Sequence, residues 1–152
     1  MNTSEVEIVS ASAIRARVRL DFKGIGKRNR VFKNRSTEKA AEDARDQNLA
    51  MFRNIPIQGI YIQDVDIGLD IYLIYDELYN TEVAYAPIIL DLVAASMENL
   101  VAFFAREEFR KIEILSRSTV TMQRFEVERL MCKIYDELKN YRISLERRYN
   151  LR

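Results

Sequence analysis

Arg15, Arg17 and Arg19 recur at every second position, and Lys23, Lys27, Arg28, Arg30, Lys33 and Arg35 follow closely. Between positions 15 and 35, nine basic side chains stand against a single acidic one, Asp21. Guanidinium forks pair bidentately with carboxylates and phosphates, so residues of this type at this density can hold an anion. Arg15, Arg17, Arg19, Lys27, Arg28, Arg30 and Lys33 therefore form a candidate surface for an anionic partner, nucleic acid included. Aromatic side chains that would stack on bases are scarce there: Phe22 alternates with the apolar set, which leaves Phe32. Contact with a phosphate backbone, felt as steep salt dependence, fits better than base readout.

The arginines have a competing use. Asp64, Asp66 and Asp70 share the parity of one strand face, and Ile67, Leu69 and Ile71 take the other. Their spacing is superficially that of a calcium loop, but the apolar alternation predicts a strand, and the glycine and terminal glutamate positions of such a loop are missing. If the two long strands are neighbours, Arg15, Arg17 and Arg19 oppose Asp66 and Asp70 as cross-strand pairs, which is the preferred reading. A third group, Asp76, Glu77 and Glu82 near Tyr75, Tyr79 and Tyr85, could do acid–base work only inside a cleft that shifts its pKa values. The chain has no histidine and one cysteine, Cys132. Imidazole-based triads and thiolate zinc sites are thus excluded within one chain. No catalytic residue, cofactor or metal is expected.

The charge is segregated along the chain. Its 152 residues are 48% hydrophobic and 31% charged, as in a folded domain, and sum to +1. Residues 1–53 carry +5, residues 54–105 carry −8 without one Lys or Arg, and residues 106–152 carry +4. Either the segments neutralise one another, within a monomer or across an oligomer, or the basic part meets an anionic partner.

These residues must be positioned by a small α+β fold, a mostly antiparallel sheet of two strand–strand–helix units plus a long C-terminal amphipathic helix. Residues 14–22 alternate apolar and polar, which predicts a half-buried strand. Lys23 to Lys27 supply glycines for a hairpin turn, and 28–33 would return as a second strand. Ser36 or Thr37 caps a helix running to about Phe52, with Ala40, Ala41, Ala44, Asn48, Met51 and Phe52 on one face. In the second unit, 60–62 is a short strand, 65–75 a longer one and 83–94 a buried one in which Pro87 favours an edge or a bulge. Ser96 caps a helix from Met97 to about Phe109, and 111–115 is a brief strand. Residues 14–57 and 67–115 share this order, so an internal repeat within a single domain, 1–152, is one reading.

The last helix, within 120–149, carries the clearest periodicity. Val127, Met131, Ile134, Leu138, Tyr141 and Leu145 fall at alternating spacings of four and three, an a/d seam. It serves either to cover the core or to join a second copy. No apolar run reaches membrane-spanning length, and residues 1–12 lack the basic start and apolar run of an export signal. The expectation is a cytoplasmic, non-enzymatic protein-interaction domain, adaptor or regulatory, that forms a homo-oligomer (dimer favoured) and meets a protein partner. Nucleic-acid binding through the basic strand and hairpin at 15–35 is the alternative.

Overall fold

The structure, a computed structural model, describes residues 13–26, 36–78, 80–116 and 118–149. The expected return strand at 28–33 lies outside them, as do Lys27, Arg28, Arg30, Lys33 and Tyr79. The elements run β1 (Ile14–Gly24), α1 (Thr37–Asn54), β2 (Ile60–Asp66), β3 (Tyr72–Asp76), β4 (Thr81–Ala94), α2 (Met97–Phe104), β5 (Phe109–Ile114) and α3 (Arg124–Arg148). The fold is α+β with a mostly antiparallel, open, five-stranded sheet. Its strand order is β2-β4-β1-β5, and β3 pairs with β4 beyond the reach of β2.

Interchanging β1-α1-β2 with β4-α2-β5 reverses this order and leaves it otherwise unchanged. The two central strands, β1 and β4, are antiparallel, and each is followed by a helix and then by the strand that flanks the other. This is the connectivity of two interleaved split β-α-β units, the ferredoxin-like arrangement.

Alternation in β1 does what its sequence predicts. Ile14, Ala16, Val18, Leu20 and Phe22 are buried against Ile88, Leu90, Leu92, Leu100 and Phe103, while Arg15, Arg17 and Arg19 project to the opposite face. Ser36 and Ser96 both cap their helices, accepting hydrogen bonds from the Lys39 and Asn99 amides at 3.0 and 3.1 Å. The buried face of α1 centres on Ala41, Arg45 and Leu49, and Met51, expected inside, is exposed. A shorter α2 than expected ends at Phe104, because the chain must turn back through 105–108 to lay β5 against β1. The Glu108 carbonyl there accepts the Asp21 amide at 2.8 Å.

Residues 65–75 are not one strand. β2 and β3 both run antiparallel to β4, one after the other, and the ladder is interrupted opposite 86–88 of β4. The physical reason is Pro87. Asp21 spends its amide on β5, so the Asp21–Pro87 pair is not a hydrogen-bonded one and the Pro87 nitrogen faces β2 and β3. Without an N–H there, the ladder cannot close, and 67–71 bulge away. Asp66 Oδ1 accepts the Gly68 amide at 2.7 Å and fixes the exit from β2.

Gly24 is also not a turn residue of positive φ; it is the last residue of β1. Its missing side chain makes room for α1. A Cβ would stand 2.5 Å from the Ala40 carbonyl carbon and from the Ala41 Cα, and closer still to the Ala41 nitrogen. Ala41, Ala84 and Ala86 complete this small-residue contact between helix and sheet.

Candidate functional site

The face of the sheet opposite α1 and α2 carries Arg15, Arg17, Arg19, Asp64 and Asp66, in rows that cross the strands. One row runs Asp64 on β2, Asp91 on β4, Arg17 on β1 and Glu113 on β5. The next runs Asp66, Ile89, Arg19 and Lys111. Because β4 separates β1 from β2, Arg15, Arg17 and Arg19 do not oppose Asp66 and Asp70. Asp70 lies outside the strands altogether, so the expected common face of Asp64, Asp66 and Asp70 holds for the first two.

The arginines find other carboxylates. Arg17 donates from Nε and Nη2 to the two oxygens of Asp91 at 2.8 and 3.2 Å, and Arg15 Nη2 lies 4.0 Å from the same carboxylate. Arg19 grips Asp21 on its own strand, again with both donors, at 2.9 and 3.2 Å. Asp21 is 2% exposed yet faces away from the core. It is enclosed because the Tyr72 phenol donates to it and Arg110 reaches it at 3.6 Å, stacking over Tyr85 on the way. Tyr72 and Tyr85 stack at 5.3 Å across β3 and β4, and Lys23 ties β1 to Asp76 at 3.0 Å. A buried carboxylate held by two guanidiniums and a phenol is a structural clamp across four strands.

The electrostatics follow from this geometry. The hydrogen bond from Arg17, then its charge and that of Arg15, hold the Asp91 carboxyl below the ordinary aspartate range despite partial burial. The same bond raises the Arg17 guanidinium, and Asp21 raises that of Arg19. Burial, then the hydrogen bond to Asp21, raises the Tyr72 phenol. Lys111 at 2.7 Å lowers Glu113. Because Asp91 titrates lower folded than unfolded, its contribution to stability is present above the unfolded pKa near 4 and is lost as pH falls through the folded value. Asp91→Asn should therefore flatten the fall of the urea midpoint below about pH 4. Identical slopes for the two proteins over that range would contradict the pairing.

The described residues of the acidic, tyrosine-bearing patch are engaged separately or lie exposed. Tyr75 is bonded to Asn80, and Asp76 accepts both Lys23 and the Leu78 amide. Glu77 and Glu82 are exposed. A hollow of 580 Å³ lies elsewhere, between the end of α1 and the open edge of β2, lined by Leu49, Phe52, Ile57, Ile62 and Asp64 among others. Among the described residues, no three His, Cys, Asp or Glu side chains are grouped to hold a metal.

The apolar stripe of α3 lies in the open. This helix is about 37 Å long at the usual rise and has no buried residue. Its main packing is on α2, with Arg129 3.8 Å from Glu98, and Arg148 lies 3.0 Å from Glu107 in the turn that follows α2. Lys133 and Glu137 are half-buried and 3.1 Å apart. Val127 and Leu145 are half-buried, whereas Met131 is 64%, Leu138 63%, Tyr141 62% and Ile134 42% exposed. The free Cys132 is exposed as well, off the seam.

Two partners of the arginines escaped the sequence reading, Asp91 and Asp21, and so did Tyr72 and Arg110. Asp91 carried a signal, being the lone charge in the apolar run of β4, on the parity of Tyr85 and Ile89. Nothing local marks Arg110, which reaches Asp21 only because β5 shifts register by a bulge beside Leu20. No described helix is long and apolar enough to cross a membrane. Neither the known protein families, nor curated proteins, nor solved structures contain a match to this chain.

Proposed function

We propose that this chain is a non-enzymatic protein-interaction domain of the cytoplasm, adaptor or regulatory in role, that assembles with itself as a dimer through the α3 seam. The observation that carries this reading is the exposure of Met131, Ile134, Leu138 and Tyr141 on one stripe of a helix with no buried residue. A heptad stripe left in water wastes the burial that its spacing is suited to, and a second helix supplies it. The core beneath is already closed by α1 and α2, so α3 is not needed to cover the sheet.

Nucleic-acid binding draws less support. Arg15, Arg17 and Arg19 already have carboxylate partners, and acidic Asp64, Asp66, Asp91 and Glu113 are interleaved with them on the same face. That reading would rest on Lys27, Arg28, Arg30 and Lys33, which lie outside the described residues.

Methionine oxidation tests the seam directly. Met131 should react with peroxide more slowly as protein concentration rises, while Met51, 51% exposed and far from the seam in sequence, should react at a constant rate. Equal, concentration-independent rates for both would overturn the proposal.

A further inference from the structure

The flanks of the seam also specify how the second copy lies on it, an inference that rests on the self-assembly proposed above. We infer that the two α3 helices pair antiparallel about a two-fold axis crossing near Asp136, so that Glu128 of each copy meets the partner's Arg142. In this register Val127 faces the partner's Leu145, Met131 faces the partner's Tyr141, and Ile134 faces the partner's Leu138. Every apolar seam residue meets another, as a two-fold interface requires.

Apolar matching alone would also allow a parallel pair; the charges decide. With Val127, Ile134 and Tyr141 at d, and Met131, Leu138 and Leu145 at a, Glu128, Tyr135 and Arg142 occupy the e flank, and Leu130, Glu137 and Ser144 the g flank. Antiparallel helices bring e against e, which sets Glu128 against the partner's Arg142 twice and Tyr135 against the partner's Tyr135. Glu128 is exposed and makes no ion pair among the described residues, and Arg142 is well exposed, with its own-helix contact to Glu146 stretched to 3.9 Å. Both are thus available.

A parallel pair would instead bring g against e, setting Glu137 against the partner's Arg142. Glu137 is already committed to Lys133 at 3.1 Å and is half-buried against its own body. That commitment also quiets the meeting of Glu137 with the partner's Glu137 that the antiparallel register requires. Glu128 would face the partner's Gln123 in a parallel pair and gain no opposite charge. The seam ends point the same way. A parallel pair stacks Arg124 on the partner's Arg124 and Arg148 on the partner's Arg148. The antiparallel one sets Arg124 against the partner's Arg148, already neutralised by Glu107 at 3.0 Å.

Spin-label distances on the full-length dimer test the orientation. One label goes on the native, exposed Cys132, and the other on Arg147→Cys in a Cys132→Ser background. Along the helix axis the two copies of position 132 should lie about 12 Å apart and those of position 147 about 33 Å apart. A parallel pair gives nearly the same separation at both sites, and that result would overturn the inference while leaving self-assembly standing. Charge exchange gives a second readout that does not depend on labels. Glu128→Arg and Arg142→Glu should each weaken the dimer about fivefold, and the double variant should return to within about twofold of the native protein. Failure of the double variant to recover, in a protein that still dimerises, would also overturn it. A chain that is monomeric throughout would sink both this inference and the reading beneath it.

Discussion

Gly24→Ala should lower the free energy of unfolding by about 3 kcal/mol, the cost of forcing one methyl into a closed contact. The methyl would meet backbone, the Ala40 carbonyl carbon and the Ala41 nitrogen and Cα, and no flexible side chain is there to move aside. Relief requires α1 to lift from the sheet over Ala84 and Ala86, which separates the helix from the pad that receives it. Packing density in such a pad leaves no slack for a tenth-scale adjustment. Gly68→Ala is the control. Its added carbon would meet only Asp66 Oδ1 at 3.0 Å, in an exposed turn, so its cost should stay within about 1 kcal/mol. Urea unfolding of both variants checks the claim, and equal midpoints would contradict it.

The legible parts of the fold were those written in local spacing. Alternation from Ile14 to Phe22 placed a strand and its inner face, Ser36 and Ser96 placed two helix starts, and the heptad stripe placed α3. What stayed hidden depended on which strand became whose neighbour. Opposite charges on Arg17 and Asp66 suggested a pair, but the intervening strand β4 put Asp91 beside Arg17 instead. Proline at 87 announced a break in the ladder, yet not that the break would fall in the partner, splitting one expected strand into β2 and β3. For Gly24 the residue type was informative and its reason was not, since the chain needed space for a distant helix instead of a positive φ. The spacing of the apolar stripe was readable, because a/d periodicity is a property of one helix. Its freedom from the body was not, since only the packing of α1 and α2 shows that the core closes without it.

Leu138→Glu should weaken dimerisation by about a thousandfold without changing the stability of the single chain. Leu138 is 63% exposed and touches no core, so the folded monomer has little to lose. In the two-fold dimer each substitution counts twice. Each copy loses a leucine packed against the partner's Ile134, worth about 2 kcal/mol when buried. Two carboxylates would also have to enter an apolar seam near one another, at a further desolvation cost. The apolar loss alone, about 4 kcal/mol over the two copies, corresponds to that thousandfold change. Cys132→Ser, on the same helix but off the seam, should change neither property.

Light scattering of the native chain beside Leu138→Glu, over a range of micromolar concentrations, tests the central claim most directly. Self-assembly through α3 predicts a native mass that rises toward twice the 17.9 kDa of one chain, while the variant stays at 17.9 kDa with an unchanged urea midpoint. A native protein that remains at 17.9 kDa at every concentration, or a variant that dimerises as well as the native chain, would contradict it.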